Sequence, residues 1–106
     1  MTPARKQQWI DALQSGKYRQ GDSTLHHSFK RTYCCLGVYL KEVERVPNNI
    51  LAFQPMPSDL EHEKSITKKQ ARFLPVQIIN ALASMNDRGV PFDVIAGFIN
   101  ENIKTT

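Results

Sequence analysis

Apolar and polar positions divide the chain into a helical beginning, an alternating stretch, a concentrated apolar block and a helical end. Trp9, Ile10 and Leu13 recur at a spacing that places them on one side of a helix, with Arg5, Gln8 and Asp11 turned to water. Thr2-Pro3 marks its start, because proline at the first helical position lacks only an N–H that would have no intrahelical partner. Gly16 after Ser15 marks its stop, which predicts a helix from Pro3 to Ser15. From Lys17 the helical period vanishes. Tyr18-Arg19-Gln20 and Leu25-His26 read as short strands on either side of the turn Gly21-Asp22-Ser23, with a return through Phe29 to Tyr33, a small antiparallel β-ribbon.

Tyr33-Cys34-Cys35-Leu36-Gly37-Val38-Tyr39-Leu40 is the longest apolar run. It passes into Lys41-Glu42-Val43-Glu44-Arg45 with Leu36, Tyr39, Leu40 and Val43 on one face, which predicts a central buried helix rather than a strand. Pro47-Asn48-Asn49 stops it. Pro55 and Pro57 mark an irregular connection that leaves Ile50, Leu51 and Phe53 for the core, and Ser58-x-x-Glu61 has the form of a capping box for a short polar helix to Lys64. Pro75 opens a helix carrying Val76, Ile79, Leu82, Ala83 and Met85, closed by Asn86-Asp87-Arg88-Gly89. Pro91 opens another with Phe92, Ile95, Ile99 and Ile103 facing inward, so the two form a C-terminal helical hairpin. The expected fold is α+β, mostly α, in a single domain spanning residues 1–106.

Composition narrows the class. With 106 residues, 41% of them hydrophobic and 23% charged, the chain can bury a core without a metal or disulfide staple and lies far from disordered or disulfide-scaffold compositions. No run nears the roughly 20 apolar residues that span a bilayer. Cys34 and Cys35 are adjacent, so a disulfide between them would be strained, and a reducing cytoplasm is expected.

Charge changes the picture more. Of 14 Lys+Arg and 10 Asp+Glu, giving a net charge of +4, residues 1–45 hold eight basic and four acidic side chains, and the remainder is neutral. The whole excess therefore sits beside the ribbon. Arg5, Trp9, Lys17, Tyr18, Arg19, Gln20, His26, His27 and Arg31 are the candidate binding residues: cations to steer and contact an anionic partner, aromatic rings to stack. A ribbon edge protected by charge is the plainer reading of the same residues.

Chemical motifs are sparse. Cys34-Cys35 lacks metal-ligand spacing, and helical geometry separates the two thiols, so they read as core packing. His26 and His27, adjacent on a strand, point to opposite faces and cannot chelate one ion with His62 without a bend. No catalytic triad order, nucleophile elbow or glycine-rich phosphate loop is present, so the expectation is a non-enzyme that needs no cofactor. The C-terminal hairpin imitates a helix-turn-helix, yet its last helix offers Asp93, Asn100, Glu101 and Asn102 with no cation before Lys104, the reverse of what a polyanion needs.

The spacing Trp9…Leu13, Ser15-Gly16, Tyr18, Gln20-Gly21, Leu25, then Tyr33-Cys34-Cys35-Leu36-Gly37-Val38, then Leu82, Met85-Asn86-Asp87, Gly89, Phe92, Ile95-Ala96 and Ile99 resembles a family of small uncharacterised proteins of tailed bacteriophages and prophages. The resemblance runs over most of the chain, is densest at Cys-Cys-Leu-Gly-Val and is thin from Val46 to Arg72. It implies a phage accessory protein acting in the bacterial host cytoplasm, of the host-takeover or anti-defence kind. The expected partner is then an acidic host-protein surface or a phosphorylated, nucleotide-type small ligand. Nucleic-acid binding is the alternative, no membrane is involved, and a homo-oligomer stays open.

Overall fold

A computed structural model describes residues 1–52 and 74–105. The fold is α+β, mostly α. The described elements are α1 (Pro3–Gln14), β1 (Arg19–Gln20), β2 (His26–His27), β3 (Thr32–Tyr33), α2 (Cys35–Glu42), α3 (Asn48–Leu51), α4 (Val76–Asp87) and α5 (Phe92–Asn102).

Helix α1 begins as its sequence predicts. Thr2 Oγ1 accepts the Arg5 N–H at 3.2 Å, and Trp9, Ile10, Ala12 and Leu13 are buried. The Trp9 ring is 0% exposed, packs with its centroid 4.9 Å from that of Tyr39, and donates its indole N–H to the Cys35 carbonyl at 3.0 Å. Lys6 reaches the far end of the chain: its ammonium donates to the carbonyls of Asn100 at 2.9 Å and Ile103 at 2.6 Å, where α5 leaves acceptors without intrahelical donors.

The ribbon is a three-stranded sheet in the order β1-β3-β2. Only β2 and β3 are antiparallel; β1 lies parallel to β3, with Arg19 opposite Thr32 and Gln20 opposite Tyr33. The expected all-antiparallel ribbon is corrected here. The chain skips a place in going from β1 to β2, and β3 then enters between them. The expected return strand from Phe29 is also shorter, because Phe29 to Arg31 form the turn.

Helix α2 is buried on every side from Cys35 to Leu40, and the Cys34 thiol takes the N-cap place, accepting the Gly37 N–H at 3.2 Å. It ends at Glu42 rather than Arg45, since Arg45 adopts φ +61° and Val46 N–H turns back to the Leu40 carbonyl at 2.9 Å. The expected stop at Pro47 therefore comes after the helix has already ended; Pro47 instead stands at the N-cap of Asn48–Leu51, a short helix where an irregular connection was expected, with Leu51 buried and Ile50 exposed. Phe53 and the Ser58 capping box lie outside the described residues.

The hairpin of α4 and α5 forms as expected, with Ile79, Leu82, Ala83, Phe92, Ile95, Ile99 and Ile103 in the core. Two positions differ. Val76 opens α4 on its exposed side, and Asn86, expected in the closing turn, is buried. No helix among the described residues is long and apolar enough to cross a membrane.

Candidate functional site

The motif segments meet at one buried junction. Asn86 accepts the Cys35 N–H at 3.0 Å and the Gln20 side-chain amide at 3.3 Å through Oδ1, and donates Nδ2 to the Gly21 carbonyl at 2.7 Å. Gln20 also donates to the Val90 carbonyl at 2.7 Å, and Asp87 accepts the Ser23 N–H at 3.0 Å. Gly37 lies beneath Leu25 so closely that a Cβ there would sit 2.0 Å from the Leu25 carbonyl oxygen; a Cβ on Gly21 would sit 2.3 Å from Thr32 Oγ1. Gln20-Gly21, Cys34-Cys35-Leu36-Gly37 and Asn86-Asp87 are thus spaced as they are because they lock β1, α2 and α4 together.

The cysteines are fully buried at this junction. A thiol at a helix N-terminus ordinarily acidifies, but burial dominates and pushes Cys34 up to about 12; burial also pushes Cys35 well up. Both stay as thiols at neutral pH, with Cys35 Sγ 3.6 Å from the Leu82 carbonyl. Neither is poised as a nucleophile. Among the described residues no three His, Cys, Asp or Glu side chains gather in a way that could hold a metal ion.

The nine candidate residues separate into three groups. Trp9, Tyr18 and His26 are buried, so the expectation that the Trp9 and Tyr18 rings stack on a ligand is corrected: their faces are already covered by the protein. Tyr18 packs edge-on to Tyr33 at 5.0 Å between centroids, and His26 stacks on the same ring at 4.3 Å while its Nδ1 lies 3.0 Å from the Thr32 carbonyl. Gln20 is half-buried in the junction.

Arg5 and Lys17 form the second group, cations held by acids at the C-terminal end of α2. Arg5, half-buried rather than turned to water, pairs with Glu44, which also accepts the Tyr39 hydroxyl at 2.7 Å. Lys17 lies 3.5 Å from Glu42, whose other oxygen accepts the Tyr18 hydroxyl at 3.1 Å. Burial, reinforced by the Glu42 charge, pushes Tyr18 up to about 12. A shallow open groove of about 530 Å³ runs here between Gln7, Asp11, Lys17 and Glu42, with both signs of charge on its walls.

Residues 1–50, which hold every candidate residue, match the family described as a domain of unknown function (DUF8296). No curated protein and no solved structure matches the chain. The matched span carries the sheet, α2 and all of the junction except what α4 and Val90 supply.

The third group remains outside. Arg19 and Arg31 are exposed and His27 is half-buried; among the described residues neither arginine forms an ion pair. Arg31 lies in the β2–β3 turn, and Arg19 is in register with Thr32, the residue that follows Arg31. That turn adds two residues absent from the candidate set. Lys30 is exposed, and Phe29 is 88% exposed at its tip. The signal was in the sequence: an apolar ring in the polar run Ser28-Phe29-Lys30-Arg31, directly before two cations.

Proposed function

We propose that the chain is a non-catalytic phage accessory protein that acts by binding in the host cytoplasm, blocking a host protein through the basic face around β1 and the β2–β3 turn, with counteraction of host defence as the outcome. The observation that carries this reading is the division of the N-terminal charge. Arg5 and Lys17 are matched internally by Glu44 and Glu42, whereas Arg19, Lys30 and Arg31 are exposed, the last two directly following an exposed ring. The resemblance to small phage proteins supplies the biological setting.

A protein surface is favoured over a nucleotide-type ligand because the rings that would stack on a base are packed inside and the groove beside Lys17 is shallow and of mixed sign. It is favoured over nucleic acid because three exposed cations and one exposed ring do not make the track of charge and successive stacking platforms that a single strand uses. The test is capture from lysate of a bacterial host with the wild-type chain and with Arg19→Glu/Lys30→Glu/Arg31→Glu. One host protein retained by the wild type and lost by the triple variant is expected. Equal retention by both, or recovery of nucleic acid alone with binding that collapses between about 50 and 200 mM salt, would remove the reading.

A further inference from the structure

Exposed phenylalanines occur singly on many proteins, and one of them alone needs no explanation. Phe29 differs in how it is held. The turn that carries it is fixed at both shoulders: the His27 ring accepts the Lys30 N–H through Nδ1 at 3.2 Å, and Arg31 adopts φ +55°. A left-handed backbone at a long side chain is unfavourable and persists only where surrounding contacts impose it. Here β3 imposes it, because Thr32 and Tyr33 must pair with His27 and His26 on one side and with Arg19 and Gln20 on the other. Folding thus holds the backbone under an exposed ring in place, although burying that ring would have been favourable.

We infer that the β2–β3 turn is a docking knob in which Phe29 enters an apolar pocket on the partner while Arg19, Lys30 and Arg31 pair with carboxylates around the pocket's rim. The partner chemistry follows from charge complementarity: exposed Lys30 and Arg31 directly after the ring, with exposed Arg19 in register beside Thr32, fit an acidic protein segment bearing apolar side chains. An aromatic anchor surrounded by charged contacts is also the arrangement in which a few residues carry most of the affinity of a protein interface. Because the turn is already set, less ordering is needed on binding. The inference rests on the reading that the basic face binds a protein, and it adds which residue anchors that contact.

The test uses the full chain, immobilised, against two probes: an mRNA-displayed library of random 12-residue peptides, and fluorescein-labelled (dT)12. The wild type is expected to enrich peptides in which Leu, Ile or Phe is flanked by Asp and Glu. Against the best of these, Phe29→Ala should weaken binding about 10- to 100-fold, Phe29→Trp should retain it, and Arg31→Glu should weaken it about tenfold. Circular dichroism is expected to be unchanged in all three, since Phe29 contributes little to the core. Acidic peptides bound equally by wild type and Phe29→Ala would overturn the anchor while leaving the basic-face reading in place. No acidic enrichment, or (dT)12 bound more tightly than any peptide, would overturn both.

Discussion

The Asn86 junction and the Phe29 turn are attached to the same three-stranded sheet, and they represent opposite uses of it. At the junction, three segments far apart in sequence meet on the buried Asn86 amide, which makes three hydrogen bonds to backbone and side chain, and Gly21 and Gly37 beside it have no room for a Cβ against Thr32 and Leu25. At the turn, the Lys30 N–H donates to the His27 ring, the Phe29 ring lies edge-on to that same ring at 6.2 Å between centroids, and left-handed Arg31 leads back into β3, with Phe29, Lys30 and Arg31 exposed. The junction concentrates the recognisable spacing, Cys-Cys-Leu-Gly-Val and Asn-Asp, and of these residues the Cys34 to Val38 run and Asn86 are buried. The turn has almost no motif and carries the exposed chemistry. Motif density therefore follows packing demands in this fold, because a buried crossing tolerates few residue types whereas an exposed knob tolerates many.

The sharpest way to break the comparison is Gly37→Ala. With the new methyl 2.0 Å from the Leu25 carbonyl oxygen, the backbones of β2 and α2 must separate, and we expect either no cooperative unfolding transition or a loss of more than about 3 kcal/mol in a urea titration. A loss under 1 kcal/mol would show that the crossing can relax.

Alkaline pH attacks the same region without a mutation. Burial raises the folded-state Cys34 thiol from 9.0 and the Tyr18 phenol from 10.0, each to about 12. The folded chain therefore holds protons that the unfolded chain releases. Stability is fully present below about pH 9 and falls progressively as pH rises toward 12. Urea midpoints measured every half unit from pH 8 to 11 should hold to about pH 9 and decline above it, and a flat profile would contradict buried thiols.

Asn86→Ala is the next smaller effect. It orphans the Cys35 N–H and the Gly21 carbonyl and leaves a small void, for an expected cost of about 2 to 3 kcal/mol. Asn86→Asp should not restore stability, since a carboxylate cannot donate to Gly21. At the other pole, Phe29→Ala should change stability by less than about 0.5 kcal/mol. A larger loss would mean that the turn is a piece of core and end the contrast.

Most of the helical architecture was legible in the sequence, because proline starts and core spacing at 3.6-residue period are local properties. Thr2-Pro3, Pro75 and Pro91 each open a helix, and the inward residues of α1 and α5 were readable from their spacing. The sheet was less legible. Two-residue strands have no period to detect, and the parallel placement of β1 depends on β3, a dozen residues later. Asn86 was misplaced for a related reason: at the end of a helix an asparagine ordinarily signals a turn, and only the three-dimensional meeting with Cys35 and Gly21 draws it inside. Among the candidate site residues, local reading found the cations but not their partners. Glu42 and Glu44 take Lys17 and Arg5 across 25 and 39 residues, and no local pattern shows it.

Lys6 closes the molecule in a way that bears on its synthesis. The surface that finishes covering α1 is α5, and the ammonium of Lys6 seals that contact on the carbonyls of Asn100 and Ile103. A ribosome makes α1 first and α5 nearly a hundred residues later, so Trp9, Ile10 and Leu13 emerge long before their full shelter exists. The chain should thus acquire protease resistance only after Ile103 has left the exit tunnel. Nascent chains stalled before that point are expected to be digested, and early protection of a stalled fragment ending near Leu51 would instead mark α1 and α2 as a unit that forms on its own.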